Sequence, residues 1–457
     1  MIGVMPAFLL SYQRCRNRGQ VLIDIIVATG VFLILVHSVF SLIVAIYETI
    51  NYSRVRMIAR HLANEKMELL LNVPYSDLGT TTGIPNGIIP EFETVSRNDV
   101  NFIVHTTITY VDDPFDGNAP VDLLPTDYKQ VRLEVAQQES STQVDIEPIV
   151  IVSQVAPQGI ETVTGGGTLS ILVIDAQSQP VSQAQVHVVS SDVVPVIDMT
   201  LQTNIDGRLI IPGAPPCANC YNVTVSKDGY STDKTYTTDE VANPQRRPIT
   251  VEVERLSEAT FIIDRTSNVT VYSHHGRLSN FSVFPNQLFR LTGSKIIGTD
   301  PDGDPVYKFD ETFTTSSSGL LEIEDLEWDN YMLTIPPSET LVVSGVNPFQ
   351  PMTVNPNTNY TVHFALSPKT LNSLLLSTKD ASGSAIASAS ATLSLGPDVI
   401  ATQSGGLMDD PDFGQVFFSD LDVNAYDFTI NHSNYQPATG TVTVDGTTVN
   451  EVILTVQ

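Results

Sequence analysis

The longest apolar run of the chain lies near its start and predicts a membrane-spanning helix. From Val21 to Tyr47 the residues are almost all apolar, interrupted by Asp24, His37 and a few small polar residues. A spanning helix needs roughly 20 such residues. A cleaved secretory signal would have a shorter apolar core, followed by a small-residue cleavage site. The pattern therefore predicts a single transmembrane helix that the protein retains.

The pattern becomes amphipathic directly after this run. In "YSRVRMIARHLANEKMELLLNV" apolar residues recur at helical spacing, as on one face of a helix: Val55, Ile58, Leu62 and Leu69. Pro74 lacks a backbone N–H and ends the helix. Residues 20–72 are thus predicted to form one continuous helix, about 80 Å long at about 1.5 Å per residue. Its first half would lie in lipid and its second half outside.

Alternation of apolar and polar residues, which is typical of strands, replaces the helical period beyond Pro74. The segments "NFIVHTTITYV" and "YKQVRLEVA" alternate in this way, with turn residues between them. They predict a small β head on the helix, over residues 73–156. A polar, glycine-rich stretch at 155–168 predicts a linker.

One pattern occurs three times in the rest of the chain. Each copy has a glycine turn, an alternating strand, a loop and a tyrosine-led strand; the glycines and tyrosines are Gly207, Gly319, Gly414, Tyr221, Tyr331 and Tyr426. Such a repeat predicts three tandem all-β, immunoglobulin-like sandwiches over residues 164–256, 257–368 and 369–457. The predicted fold class is therefore α+β and multidomain, with a long transmembrane helix, a small β head and three sandwiches.

The charge balance is strongly acidic, with 23 Lys and Arg against 51 Asp and Glu and a formal net charge of −28. Nucleic acids and anionic membrane surfaces are bound by basic patches, so this balance argues against both as partners of the body. Charged residues make up only 16% of the chain and hydrophobic residues 42%, which argues against an acidic disordered chain. The composition indicates folded domains.

Two of the three cysteines, Cys217 and Cys220, form a CxxC pair in the first copy of the repeat. Such a pair is either a redox motif or a short disulfide. A redox motif stands at a helix start in a βαβ unit, whereas this pair lies in a β repeat of a chain predicted to be exported. We therefore expect a loop-closing disulfide, oxidised in the exported protein.

The remaining polar clusters carry no catalytic pattern. None of the eight histidines lies in HxxE or HExxH, and neither GxSxG nor a Gly-Lys phosphate loop occurs. The acidic segments 112–120 and 300–305 hold carboxylates of the kind that bind Ca²⁺. A solvated loop and a turn are favoured, since 300–305 lacks the EF-hand glutamate and is bracketed by prolines. The sequence thus predicts a non-enzyme with no cofactor and no metal site.

The start of the chain resembles type IV pilins and pseudopilins. In "RNRGQVLID" a basic leader, residues 1–19, ends in glycine, and an acid lies five residues on, inside the apolar run. The resemblance implies that a prepilin peptidase cleaves after Gly19 and that the new N-terminus, Gln20, is methylated. It also implies that Asp24 pairs with the free amine of a neighbouring subunit; unpaired, such an acid is costly in lipid. The family usually has Phe at the position of Gln20 and Glu at the position of Asp24.

Three arginines precede the apolar run: Arg14, Arg16 and Arg18. The positive-inside rule keeps this end in the cytoplasm and exports the rest. We therefore expect a single-pass protein of the inner, or cytoplasmic, membrane before assembly. Afterwards we expect it in an extracellular filament or at the cell surface.

The repeat resembles the carboxypeptidase regulatory-like, transthyretin-like sandwich. The segments that carry this resemblance are "TNIDGRLIIPG" and "VSKDGYST" in the first copy. In that family the module is a rigid accessory domain and not the catalytic part. The resemblance implies rigid modules displayed on the exported side.

Together these features predict a structural, non-catalytic pilin-like subunit of a type IV pilus or related filament, which displays its sandwiches for surface attachment or spacing. Its partners would be the prepilin peptidase, other pilin subunits through the N-terminal helix, the membrane and a surface ligand. Two alternatives stay open. One is a pseudopilin of a secretion or DNA-uptake system, and the other is an uncleaved single-span surface adhesin.

Overall fold

The computed structural model describes residues 18–111, 127–138, 147–157 and 166–457, with side chains from Ile25 onwards. Residues 1–17 of the leader, the acidic segment 112–120 and most of the predicted linker lie outside the described residues. The chain has the predicted α+β class, because one long N-terminal helix precedes a body of β-strands. It divides into two compact units, one with the helix and head and one with the later strands.

Helix α1 extends without a break from Arg18 to Leu71, 54 residues. It contains no proline, so no turn loses its backbone hydrogen bond. Its length is about 80 Å at about 1.5 Å per residue. The helix ends where Asn72 Nδ2 donates to the carbonyl oxygen of Glu68, at 2.7 Å, shortly before Pro74.

The second half of α1 packs on the head sheet. Its buried residues lie on one face: Val55, Ala59, Leu62, Ala63, Met67 and Leu70. The predicted core residues Val55 and Leu62 are among them, but Leu69 is 58% exposed and Leu70 is buried instead. The two alanines allow a close approach of the sheet, so the buried stripe is centred on them and Leu69 falls at its margin.

The head is one four-stranded sheet in the order β1-β2-β3-β4, with β1 (Phe92–Arg97), β2 (Val100–Val111), β3 (Tyr128–Gln137) and β4 (Ile149–Val155). Asn98 and Asp99 join β1 to β2 with φ of 50° and 65°, the two-residue turn that matches the twist of a hairpin. Alternate residues of the central strands are buried in the same core cluster as α1: Phe102, Val104, Ile108, Val131, Leu133 and Val135.

Three modules follow the head. Module 1 contains β5 (Gly167–Ile174), β6 (Gln185–Ser190), β7 (Ile197–Gln202), β8 (Arg208–Ala214), β9 (Cys217–Ser226), β10 (Asp233–Lys234), β11 (Asn243–Pro244), β12 (Ile249–Val251) and β13 (Leu256–Ile262). Module 2 contains β14 (Ser267–His275), a short 3-10 helix (Arg277–Ser279), β15 (Leu288–Gly293), β16 (Ile296–Thr299), β17 (Pro305–Tyr307), β18 (Asp310–Thr314), β19 (Leu320–Leu326), β20 (Asp329–Thr334), β21 (Leu341–Asn347), β22 (Met352–Val354) and β23 (Asn359–Pro368). Module 3 contains β24 (Ser373–Lys379), β25 (Ser390–Leu395), β26 (Asp398–Ser404), β27 (Gln415–Ser419), β28 (Asn424–His432), β29 (Tyr435–Val444) and β30 (Thr447–Ile453).

Each module repeats one strand arrangement. In its first sheet the first strand lies between the strand after the glycine turn and the last strand, as in β8-β5-β13, β19-β14-β23 and β27-β24-β30. The last strand pairs parallel with the first, and the other neighbour pairs antiparallel. Gly207, Gly319 and Gly414 have φ of 69°, 70° and 65°, a backbone conformation that glycine adopts without steric cost.

The pairing of β13 moves the first module boundary. The sequence places that boundary between residues 256 and 257, so β13 would begin module 2. Instead, Leu256–Ile262 pairs residue by residue with Thr168–Ile174 of β5. A first strand without this partner would expose its edge, so the strand belongs to module 1.

Each module has its own apolar core between its two sheets. The cores include Phe261 in module 1, Phe289 and Phe364 in module 2 and Phe418 in module 3. All four aromatic side chains are fully buried. Burial of each contributes about 1.5–3 kcal/mol relative to exposure, so each module supplies its own folding energy.

Candidate assembly helix and module joints

The first half of α1 presents apolar side chains on all sides. Every residue from Ile25 to Ile50 is exposed. Within the described residues, one helix is long and apolar enough to cross a membrane, and it is this one. A helix without a polar face is suited to lipid or to contact with other helices.

Three hydroxyl groups in this half are bonded within the helix. Thr29, Ser38 and Thr49 each donate to the backbone carbonyl four residues earlier, at 2.7, 2.8 and 2.8 Å. No water is present in the bilayer core to bond such groups, so an internal acceptor makes them tolerable there. These three hydroxyl groups therefore do not argue against a membrane location.

The predicted processing and assembly residues lie in the first turns of α1. Gly19 and Gln20 follow Arg18, the first helical residue, and Asp24 is also within the helix. Residues 20 and 24 are separated by about 6 Å along the axis, at about 1.5 Å per residue. A new amine at Gln20 would thus lie one turn below the backbone of Asp24.

The turn after α1 is fixed by a buried lysine that sequence reasoning missed. Lys129 of β3 donates from Nζ to the carbonyl oxygens of Tyr75 at 2.6 Å and Leu78 at 2.8 Å. Its ammonium also lies 4.4 Å from the centre of the Tyr75 ring. Burial lowers the pKa of Lys129 to about 8, and the Asp77 carboxylate opposes this shift. One alternating strand residue thus ties the end of the helix to the sheet.

Cys217 and Cys220 form a disulfide at the start of β9, with their Cα atoms 6.0 Å apart. This is the pairing that the sequence predicts. Cys220 is buried in the core of module 1, and Ser190 Oγ donates to its sulfur at 3.3 Å. Both cysteines lie within β9, so the disulfide closes a short loop in a strand and does not stand at the start of a helix, which fits a structural rather than a redox role.

The repeated tyrosine forms the same kind of hydrogen bond in all three modules. Its buried hydroxyl donates to a backbone carbonyl just upstream: Tyr221 to Pro215 at 2.6 Å, Tyr331 to Glu327 at 2.7 Å and Tyr426 to Asp422 at 3.1 Å. The bond spans four residues in modules 2 and 3 and six in module 1. Module 1 has two more residues between its turn glycine and its tyrosine than modules 2 and 3, in the segment that holds the cysteines, and these account for the difference.

The acidic segment 300–305 forms the turn between β16 and β17. Asp300 Oδ1 accepts from the backbone N–H groups of Asp302 at 3.0 Å and Asp304 at 2.9 Å. The same bonding recurs at the turns that begin with Asp175 and Asp380. This carboxylate therefore has a local structural use. Among the described residues, no group of three or more His, Cys, Asp or Glu side chains is placed to hold a metal ion.

Modules 1 and 2 are joined through the backbone. Strand β11 of module 1 pairs antiparallel with β16 of module 2, with Asn243 opposite Thr299 and Pro244 opposite Gly298. Beside this pairing, Lys308 Nζ donates to the carbonyl oxygen of Thr232 at 2.6 Å. A sheet shared by two modules restricts their relative motion, because bending would break ladder hydrogen bonds.

Modules 2 and 3 are joined by side chains instead. Arg277 forms two hydrogen bonds to the carboxylate of Asp412, from Nε at 2.8 Å and from a terminal nitrogen at 2.6 Å. The buried amide of Gln415 donates to the carbonyl oxygen of Val346 at 2.6 Å and accepts from its N–H at 3.2 Å. Asn347 donates to the carbonyl oxygens of Met408 and Asp410. Burial raises the pKa of Asp412 to about 6, with Arg277 opposing.

A pair of histidines lies on neighbouring strands of module 2. His274 Nε2 of β14 is 3.0 Å from His363 Nδ1 of β23, and His274 Nδ1 is 3.0 Å from the carbonyl oxygen of Phe281. Burial lowers the pKa of both histidines, so both are neutral at pH 7 and share one hydrogen bond. Only the parallel pairing of β14 with β23, 89 residues away, brings them together.

No protein-family model and no curated protein matches this chain. Among solved structures, the chain is similar to the Bacillus anthracis TIE protein at 12% identity, over 80% of this chain and 74% of that chain, with a TM-score of 0.19. It is similar to a streptococcal ancillary pilin at 13% identity, over 64% and 99%, with a TM-score of 0.17. BcpA, the major pilin subunit of Bacillus cereus, matches at 11% identity, over 64% and 100%, with a TM-score of 0.16. Overlaps this weak carry no argument about function.

Proposed function

We propose that the chain is a type IV pilin-like subunit that is cleaved after Gly19, assembles through α1 and displays modules 1–3 outside the cell. Its role is structural and non-catalytic, in surface attachment or spacing. The proposal includes a leader over residues 1–19 and its removal by a prepilin peptidase. Three modules would crowd a shaft packed with copies of one subunit, so a low-copy position is favoured.

The observation that supports the proposal best is the change of surroundings along α1. From Ile25 to Ile50 all side chains are exposed, whereas from Val55 onwards one face belongs to the core of the head. An apolar surface of that length is stable in lipid or against other helices, and not in water. A subunit that moves from membrane to filament meets both kinds of surroundings in turn.

The acid at position 24 gives the second line of support. A charged side chain within a spanning segment costs about 2.5–3.5 kcal/mol on insertion scales. Such residues are usually paired, and cleavage after Gly19 would create a positive amine at Gln20. In a bundle of helices, that amine on one subunit neutralises Asp24 on the next.

The proposal is tested with Asp24→Asn and Asp24→Glu. Asp24→Asn removes the charge and leaves the amine of a neighbour unpaired, a loss of about 3–5 kcal/mol when such a pair is buried. We expect normal membrane insertion but at least a tenfold lower ratio of protein in sheared surface fibres to protein in the membrane fraction. Asp24→Glu restores the family's usual acid and serves as the matched control, with a ratio at or above that of the parent.

An uncleaved surface adhesin gives the opposite result. In that case Asp24 has no partner, and Asp24→Asn leaves membrane retention unchanged or improves it. Equal fibre-to-membrane ratios for the parent and both variants would therefore contradict assembly through this acid.

A further inference from the structure

An open cavity of about 480 Å³ lies at the joint between modules 2 and 3. One wall is the end of β20 and the segment up to β21, with Leu333, Ile335 and Leu341. The opposite wall is the outer face of the first sheet of module 3, with Leu375 and Val449. A concave, mostly apolar space of this volume is typical of small-molecule sites.

The polar side chains of the wall are mostly bonded to the protein itself. Gln350 donates to the carbonyl oxygen of Leu333 at 2.9 Å, and Gln415 is paired with the backbone of Val346. Lys379 is paired with Glu451, at 2.5 Å. These groups make little demand for a ligand, so the interior is effectively apolar.

Lys369 differs from the other charged residues of the lining. It lies in the segment between β23 and β24, is exposed and lines the cavity. In the part of the chain that the structure describes, no carboxylate lies within ion-pairing distance of its ammonium group, whereas the other lining lysine, Lys379, has Glu451. The cavity thus combines an apolar interior with one cationic group that has no counter-charge.

We infer that this cavity binds a small organic acid with an apolar body, the body between the two modules and the acid group at Lys369. The inference goes beyond the proposed function and does not depend on it, since the cavity is formed within the three-module part of a single chain. A ligand that spans the joint contacts both modules. It therefore also strengthens a connection that consists of side-chain contacts only.

Phenylbutyrate and its neutral analogue phenylbutanol are suitable probes, because they share one apolar body and differ in the acid group. The full chain is placed in lipid nanodiscs, and binding is measured by saturation-transfer-difference NMR, with empty nanodiscs of the same lipid as the blank. For a ligand of this size, we expect a Kd of about 1 mM for phenylbutyrate and a Kd about threefold higher for phenylbutanol.

Three variants locate the site. Val449→Trp places a large ring in the cavity and should weaken both probes at least tenfold. Val423→Trp is the matched control in the same module, since Val423 is 60% exposed against 66% for Val449 and does not line the cavity. Lys369→Gln should weaken phenylbutyrate about threefold to fivefold, the effect of one exposed charge pair, and leave phenylbutanol unchanged.

Three outcomes would overturn the inference, and all are distinct from a failure of assembly. The site would be excluded if neither probe binds above the nanodisc blank at a concentration of about 10 mM, tenfold above the expected Kd. Equal effects of Val449→Trp and Val423→Trp would place the ligand elsewhere. If Lys369→Gln weakens both probes equally, the acid group has no role and the assigned ligand class is wrong.

Discussion

The two halves of α1 differ both in composition, the first almost wholly apolar and the second amphipathic, and in what surrounds them. Leu35 in the first half is 59% exposed, whereas Leu62 in the second half is 2% exposed. The first half has apolar side chains on every side, and the second has one apolar face against the head. The helix therefore has two structural roles. Its second half completes the core of the head, and its first half is available for contact with lipid or with other subunits.

Because of this difference, we expect substitutions in the two halves to change different properties of the protein. Substitutions in the second half should lower the stability of the head and hardly change membrane retention of the protein. Changes in the first half should act on processing, membrane retention and assembly, and leave the head folded. Substitutions of the same residue type in the two halves test that separation.

The largest effect is expected from Gly19→Val, at the predicted cleavage point. A β-branched side chain in place of glycine should block processing, so that nearly all of the protein keeps its leader and stays in the membrane. Apparent mass on gels of the membrane and fibre fractions measures this directly. Leader removal at the parent rate in the variant would show that Gly19 is not part of the cleavage site.

The second largest effect is expected when the same substitution, Leu to Ala, is made in the second half of α1 and compared with its effect in the first half. Leu62→Ala leaves a cavity in the head core and should lower the stability of the head by about 2–5 kcal/mol. Leu35→Ala should leave head stability unchanged, because its side chain makes no contact with the core. Native-state hydrogen exchange of β2 and β3 reports both. Similar losses in the two variants would mean that the first half also belongs to the folded core.

A smaller effect is expected from Lys129→Met, at the junction of helix and head. The substitution leaves the carbonyl groups of Tyr75 and Leu78 without their donor and should cost about 1–3 kcal/mol at pH 7. Because the pKa of Lys129 is lowered to about 8 from 10.5, the unfolded chain binds more protons between these values. Head stability of the parent should therefore rise from pH 8 towards 10.5.

Lys129→Met should lack this rise, so the gap between variant and parent should widen with pH. Hydrogen exchange of the β3 amides at matched intrinsic rates measures the gap. A gap that narrows above pH 8 would contradict the assigned direction of the pKa shift.

Periodicity in the sequence predicted the helix and the repeated sandwiches because both depend on local alternation. The heptad-like spacing of Leu62 and Leu69 misled the core prediction by one residue, since close packing at Ala59 and Ala63 decides which face is buried. The tyrosine was found as a repeat, yet its carbonyl partner could be seen only in the folded loop. These features lie within one strand or one turn of the chain.

Contacts between distant segments were out of reach of the sequence. Nothing in the local pattern relates Arg277 to Asp412, or His274 to His363. The contact between modules 2 and 3 brings the first pair together, and the pairing of β14 with β23 brings the second together from far along the chain. The parallel pairing of β13 with β5 was missed for the same reason, and with it the end of module 1. The cavity beside Lys369 exists only because two modules meet there.

The proposed function depends above all on cleavage after Gly19 and assembly through the first half of α1. Mass spectrometry of the N-terminal peptide, on protein recovered from sheared surface fibres and from the membrane fraction, tests it most directly. We expect a peptide that begins at Gln20 and carries a methyl group in the fibre fraction. An intact peptide containing Arg14 to Gln20 in assembled protein would contradict it.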